Sequence, residues 1–327
     1  MRLLALLLSL LHSVLLVSAA ANPGPCSGAC TSLVHDPALI QRTSDGTYFR
    51  FASHDGISIH TAPSISGPWK RAGSVLKGRA NVSHKNAGDP WAPDVQKVGD
   101  TYYCYYSVST FGAKDSVIGV ASSKSMNAGD WTDHGSTGVS TGANKGGNYN
   151  AIDGNLVAAG SKLFLTFGSF WDGLQVVDMS SPTKRGGGDV RNIVRDTVVK
   201  GNPVEGGYIF PHAGKYYVFF SHGSCCNLKN VKPGDEYKIK VCRADSATGT
   251  YVDKSGKSCT KGGGTVVLQS HGNVYAAGGQ GVFNDPKHGP VLYYHYVDRK
   301  INPNAEDGRK SFGWNKLSFE GGWPSIE

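Results

Sequence analysis

The chain has 327 residues, a formal net charge of +8, 44 glycines and 10% aromatic residues. The positive charge is spread along the chain rather than gathered into a basic stripe, which argues against nucleic acid and leaves at most a mild attraction to an acidic polymer. Abundant Gly and aromatics with little helical periodicity predict an all-β chain of short strands and turns, and no Pro-rich, Ser-rich or charged linker divides it.

Residues 1–21 read as a secretory signal peptide. Arg2 gives a positive start, Leu3 to Val17 is an apolar run broken only by Ser9, His12 and Ser13, and small residues lead to the turn Asn22-Pro23-Gly24-Pro25. A membrane-spanning helix needs about 20 apolar residues. This run is shorter, and no later segment approaches that length. Residues 22–327 are therefore expected to form one secreted, extracellular domain, a monomer with no membrane partner.

The seven cysteines suit an oxidising compartment. They are Cys26, Cys30, Cys104, Cys225, Cys226, Cys242 and Cys259. Their odd number leaves at least one free unless it pairs between chains, and Cys104, inside an aromatic run, is the candidate buried thiol. Spacing does not pair the other six. No two Cys-x-x-Cys elements occur, which argues against zinc. Asn81-Val82-Ser83 predicts a glycosylated surface loop.

A repeat organises the rest. Asp36-Pro-Ala-Leu-Ile leads through Asp45-Gly46 to the aromatic run 47–53. Asp94-Val-Gln-Lys-Val leads through Gly99-Asp100 to 101–107, and Asp153-Gly-Asn-Leu-Val through Gly160-Ser161 to 162–169. Glu205-Gly-Gly-Tyr-Ile-Phe leads through Gly214 to 215–221, and Gln280-Gly-Val-Phe through Gly289-Pro290 to 291–296. Each unit reads as a β-hairpin with a tight Gly turn. Second strands that are apolar throughout, rather than alternating, must be covered on both faces. Five such units predict a five-bladed β-propeller, with outer strands in stretches such as 117–121 and 175–178.

The first strand of a propeller blade runs beside the axis. Asp36, Asp94, Asp153, Glu205 and Gln280 take the equivalent place in the five units and are expected to ring that axis. Alone, Asp36 before Pro37 and Asp153 before Gly154 also read as turn residues. Glu205 before Gly206-Gly207 leaves room for a ligand. Clustered, partly desolvated carboxylates push at least one pKa upward and divide into acid and base, as glycosidic hydrolysis requires.

At this point the residues resemble a known family. His35-Asp36-Pro37, Asp89-Pro90-Trp91-Ala92-Pro93-Asp94-Val95, the run 106–112, Asn150-Ala-Ile-Asp153, Gly168-Ser-Phe-Trp171 and Val204-Glu205-Gly206 stand in order. Together they resemble glycoside hydrolase family 43, and within it the endo-1,5-α-L-arabinanases. The resemblance implies inverting hydrolysis of arabinan, a pectin side chain, with Asp36 as general base, Glu205 as general acid and Asp153 as the carboxylate that orients the acid and raises its pKa. It gives Asp94 no catalytic part. It makes Trp91, Phe111, Gly112, Asn150, Ser169 and Trp171 candidate substrate contacts. It also implies calcium or another hard cation on the axis, held in many relatives with help from a fifth-blade histidine. This chain has Gln280 in that segment, which leaves either no metal or a weakly held ion.

Other activities fit the same residues. An exo-acting α-L-arabinofuranosidase or β-xylosidase would use the same carboxylates. A non-catalytic carbohydrate-binding propeller would keep the aromatics and need no carboxylate trio. A structural or adhesive propeller would need neither.

Overall fold

The computed structural model describes residues 21–142 and 147–327. Residues 1–20 of the expected signal peptide lie outside the described residues. The remainder forms five antiparallel sheets in chain order. Blade 1 holds β1 (Ala38–Gln41), β2 (Tyr48–Ala52), β3 (Ser58–Ala62) and β4 (Lys70–Ser74). Blade 2 holds β5 (Trp91–Val98), β6 (Thr101–Val108), β7 (Val117–Ser123) and β8 (Thr132–Ser140). Blade 3 holds β9 (Asn155–Ala159), β10 (Lys162–Phe167), β11 (Leu174–Ser181), β12 (Lys184–Arg185) and β13 (Arg191–Val194). Blade 4 holds β14 (Val204–His212), β15 (Lys215–His222), β16 (Lys238–Ala244) and β17 (Thr265–Leu268). Blade 5 holds β18 (Val274–Asp285), β19 (Gly289–Asp298), β20 (Ser311–Ser318) and β21 (Ser325–Ile326). The innermost strands β1, β5, β9, β14 and β18 each touch the innermost strands of both neighbouring blades, which closes a ring. The five-bladed expectation holds, and 117–121 and 175–178 fall in the third strands β7 and β11.

The second strands show why they are apolar throughout. Side chains alternate between the faces of a strand, and here both faces feed a core. Cys104 and Tyr106 pack with Phe49 and Phe51 of blade 1. Tyr105, between them, packs with Leu165 and Phe167 of blade 3. Val218 and Phe220 join Leu174 and Val176. Phe219 joins Leu292 and Tyr294. Val291 and Tyr293 meet Leu39 and Tyr48, completing the circle. Truncating one of these rings to Ala would cost about 3–5 kcal/mol.

The chain between Asn22 and Cys30 straps blade 5 to blade 1. The Gly24 amide donates to the Trp314 carbonyl at 2.7 Å, and the Phe312 amide to the Cys30 carbonyl at 2.8 Å. Trp314 Nε1 donates to the Pro25 carbonyl at 3.0 Å and Asn315 Nδ2 to the Asn22 carbonyl at 2.9 Å. On the other side, the Ala29 amide donates to the Trp69 carbonyl at 2.9 Å. A Cβ at Gly24 would lie 2.4 Å from the Trp314 ring, so this crossing needs glycine. Disulfides join Cys26 to Cys30, Cys225 to Cys226 and Cys242 to Cys259, and Cys104 is the buried free thiol. Asn81 of the sequon is exposed.

Candidate active site

One position in each blade sets the geometry of the site. Asp36, Ala92, Asp153, Gly206 and Gly279 have φ of 47°, 45°, 59°, 63° and 58°, all left-handed. Such a conformation costs a non-Gly residue roughly 1–2 kcal/mol. It recurs because each kink turns an amide toward the end of the preceding blade's second strand. The Ala92 amide donates to Ser53 Oγ at 2.8 Å, Asp153 to Ser107 Oγ at 2.8 Å, and Gly279 to Ser221 Oγ at 2.9 Å. In the first blade the Asp36 amide donates to His295 Nδ1 at 3.0 Å. Gly206 departs from the pattern. Its amide donates to Asp153 Oδ2 at 3.0 Å, which leaves Ser169 Oγ free to donate to Glu205 Oε2 at 2.6 Å.

These latches correct the expected ring. Asp36 and Asp153 are equivalent, but Glu205 stands one residue before the shared position, Gln280 one after it, and Asp94 two after it. The reason is irregular pairing: the ladder shifts between Trp91 and Asp94, between Glu205 and Tyr208, and twice between Tyr275 and Gly281. A bulge re-aims side chains that a regular strand would place in step. Asp94 is thereby turned into the interior. It accepts from Gln96 Nε2 at 3.0 Å, Asn155 Nδ2 at 3.1 Å and the Leu156 amide at 3.1 Å. Burial pushes its pKa up to about 6 against those three donors.

A cleft of about 1170 Å³ opens over the axis, lined by Asp36, Asp94, Asp153, Glu205 and Gln280. Trp91, Phe111, Gly112, Asn150, Ser169 and Trp171 line it as well, so all the expected substrate contacts face one cavity. Phe111 lines it while standing 79% exposed. Trp91 Nε1 donates to Asp89 Oδ2 at 3.2 Å, and Asn150 Oδ1 accepts from Ser116 Oγ at 2.5 Å.

The three carboxylates sit in different surroundings. Asp36 accepts from Ser53 Oγ at 3.2 Å and keeps a side chain 28% exposed to the cleft. Glu205 accepts from Ser169 and from the Tyr237 hydroxyl. Burial raises its pKa, the Ser169 and Tyr237 hydroxyls oppose that by favouring the anion, and the Asp36 charge adds to the rise. Asp153 is pushed well above the carboxylate range by burial, then by Glu205 and Asp36, with only the Gly206 amide favouring its anion. The Asp153–Glu205 pair therefore retains a proton more readily than an isolated carboxylate does.

Several residues of the site were not foreseen. His35 and His295 lie 3.6 and 3.5 Å from Asp36 Oδ1. Burial lowers His35 to about 4 and drives His295 well below the ordinary imidazole value. Burial thus disfavours the imidazolium form of both where they flank Asp36. Lys310 Nζ lies 3.3 Å from His295 Nε2 and donates to the Cys225 carbonyl at 2.7 Å, and burial lowers its pKa to about 8. Tyr237 stacks on His295 with ring centroids 6.1 Å apart. One signal for His295 was present: the second strands of units one to four end at Ser53, Ser107, Ser169 and Ser221, and His295 takes that place in the fifth.

Blade 5 does place a histidine at the site, His295 rather than the position of Gln280, yet the side chains around it are a poor match to a calcium ion. Calcium takes 6–8 oxygen ligands. Among the described residues, the one group of three or more His, Cys, Asp or Glu side chains that converges is His35, Asp36 and His295, two imidazoles and one carboxylate. Gln280 Oε1 already accepts from Ser221 Oγ at 2.8 Å, while its Nε2 donates to the Gly206 carbonyl at 2.6 Å. Gln280 thus pins the strand that carries Glu205.

Comparison with known proteins gives the family of the chain. Residues 30–324 match the sequence model of glycosyl hydrolases family 43. The chain is 53% identical over 308 residues to arabinan endo-1,5-alpha-L-arabinosidase A of Aspergillus aculeatus, covering 94% of each chain. It is also similar to the GH43 endo-arabinanase from Bacillus licheniformis, with a TM-score of 0.79 and 30% identity over 92% of this chain and 99% of the other. An exo-1,5-alpha-L-arabinanase from a bovine ruminal metagenomic library superposes with a TM-score of 0.81 and 30% identity, over 92% and 99% of the two chains.

Proposed function

Because the chain belongs to glycosyl hydrolases family 43, we propose that it cleaves the α-1,5-L-arabinofuranosidic bonds of arabinan from within the chain, with inversion. The observation that carries the reading is the meeting of Asp36, Asp153 and Glu205 in one cleft whose walls present Trp91, Phe111 and Trp171.

Asp36 is the general base. Its carboxylate faces cleft water, Ser53 holds one oxygen, and His35 and His295 flank the other. It takes a proton from the water that attacks the anomeric carbon. Glu205 is the general acid. Its raised pKa keeps a proton for the departing sugar oxygen, and Ser169 and Tyr237 fix its orientation. Asp153 acts through the Gly206 amide, which ties it to the residue next to Glu205. Inverting enzymes hold acid and base about 6.5–9.5 Å apart to admit the water. Three disulfides support export to an oxidising compartment, and a cleft completed by one chain supports action as a monomer.

The likeness to an exo-acting arabinanase favours a second reading, release of units from a chain end. Hydrolysis of linear arabinan, branched arabinan and xylan with sized products separates the two. Mixed oligosaccharides at the earliest times support the endo reading. A single small product from the start replaces it with the exo reading, and no cleavage of either arabinan overturns both.

A further inference from the structure

We propose that the adjacent pair Cys225–Cys226 is a substrate-contacting ledge, a rigid sulfur surface that receives the C–H face of an arabinofuranose unit beside Asp36 and Glu205. The proposal deepens the function above and rests on it.

A disulfide between neighbours in sequence does little for the fold. In the chain-entropy account, stabilisation grows with the length of chain enclosed. Cys242–Cys259 spans 17 residues and joins β16 to the 3-10 turn at Cys259–Lys261. Cys225–Cys226 spans 1 and encloses nothing. Its effect is local: it welds two side chains and the peptide between them into one small ring.

That ring stands in the cleft. Cys225 and Cys226 are half-buried and line the same cavity as Asp36, Glu205 and Lys310. On its inner side Cys225 packs on the cluster that contains Tyr237. The Tyr237 amide donates to the Ser224 carbonyl at 3.1 Å, and the Tyr237 hydroxyl donates to Glu205. On the other side Lys310 Nζ donates to the Cys225 carbonyl and adjoins His295, which holds the Asp36 amide. Asp307, two residues after Ala305 in the same loop of blade 5, accepts from the Asn227 amide at 2.5 Å. The ledge is therefore fixed by the same side chains that hold the proposed acid and base.

Its chemistry selects the ligand class. A disulfide carries no charge and no hydrogen-bond donor, and its sulfur is soft and apolar. It repels nothing in a furanose C–H face and gives nothing to a hydroxyl edge, so the edge is left to the carboxylates. The exposed aromatic Phe111 comes from blade 2, with Trp91, and Trp171 comes from blade 3. Across the cleft the lining tyrosines Tyr237 and Tyr293 are buried while Tyr208 and Leu33 are half-buried, and the disulfide adds a rigid apolar surface beside them. A contact that cannot rotate loses no rotamer freedom on binding.

The test uses the full chain and linear arabino-oligosaccharides. In the double variant Cys225→Ser/Cys226→Ser we expect KM to rise about ten-fold, equivalent to about 1.4 kcal/mol, with kcat lowered less than about three-fold. Treating the wild type with a phosphine reductant should raise KM likewise, while the double variant should not respond, which separates this bond from the other two disulfides. Cys26→Ser/Cys30→Ser should keep the wild-type KM and its response to reductant. A double variant with wild-type KM overturns the ledge while leaving the function intact. So does a fall in kcat and thermal midpoint at constant KM, which would mark the pair as structural. A wild-type chain inert on arabinan overturns the function and the ledge with it.

Discussion

Tyr237→Phe removes one of the two hydroxyls that donate to Glu205 and keeps the ring that stacks on His295. Burial holds the Glu205 carboxyl above its ordinary range, and Ser169 and Tyr237 pull it down by stabilising the anion. Losing one donor leaves the anion less supported, so the proton is held to higher pH. A hydrogen bond to a charged group is worth about 1.5–3 kcal/mol. One pKa unit corresponds to about 1.36 kcal/mol, so the full effect would be one to two units. Cleft water beside Glu205 recovers part of the lost bond, which leaves an upward shift of about one unit. The basic limb of kcat/KM against pH reports the essential acid of the free enzyme. We expect that limb to move up by about one unit in Tyr237→Phe, and in the same direction in Ser169→Ala. The assay is kcat/KM on linear arabinan across the full profile, with thermal midpoints showing that both variants fold. A basic limb that stays in place in both variants, or moves down, refutes the assignment of Glu205 as an acid restrained by these two hydroxyls.

Three further outcomes follow from the same geometry. Glu205→Gln and Asp36→Asn should each lower kcat by about 10²–10⁴-fold, with near-native affinity for arabino-oligosaccharides by calorimetry; undiminished turnover in either removes that residue from the mechanism. Exhaustive chelation should leave the rate on arabinan unchanged, because Gln280 and His295 are already committed to protein partners; loss of activity restored by calcium would contradict that. Gly279→Ala places a Cβ 2.6 Å from Asp36 Oδ1 and 2.7 Å from His295 Nδ1 at a φ of 58°, so activity should fall steeply without any reacting group being changed, and a fully active variant would show that Asp36 is not held where the latch puts it.

The propeller was legible because its cause is written in the second strands. Tyr102 to Tyr106 and Val218 to Phe220 are apolar at consecutive positions, since alternate side chains serve the cores of two neighbouring blades. The convergence of Asp36, Asp153 and Glu205 followed from the repeat. Their register did not, because bulges near Trp91, Glu205 and Tyr275 move a side chain by one or two places without leaving a mark in a hydrophobic pattern. Asp94 was misplaced for that reason. His295, Lys310 and Tyr237 were missed because they act through contacts between distant parts of the chain. The Asp36 amide meets His295 across 259 residues, and the sole trace of that contact was the alignment of His295 with Ser53, Ser107, Ser169 and Ser221 of the other units.

The strap between Asn22 and Cys30 orders events on the ribosome. Asn22 bonds to Asn315 across a separation of 293 residues, so the strap cannot dock until β20 has been made. Blades 1 to 4 can stack in sequence as they emerge, each covering the flank of the one before. The outer flank of blade 1 stays bare until blade 5 exists. Because the fifth sheet draws all its strands from the C-terminal end, no terminal strand has to be threaded into a finished sheet. Closure is the docking of a preformed edge. The seam between Trp314 and Trp69 is then the last to form, and it is the place where unfolding should start and where a protease should gain its first access.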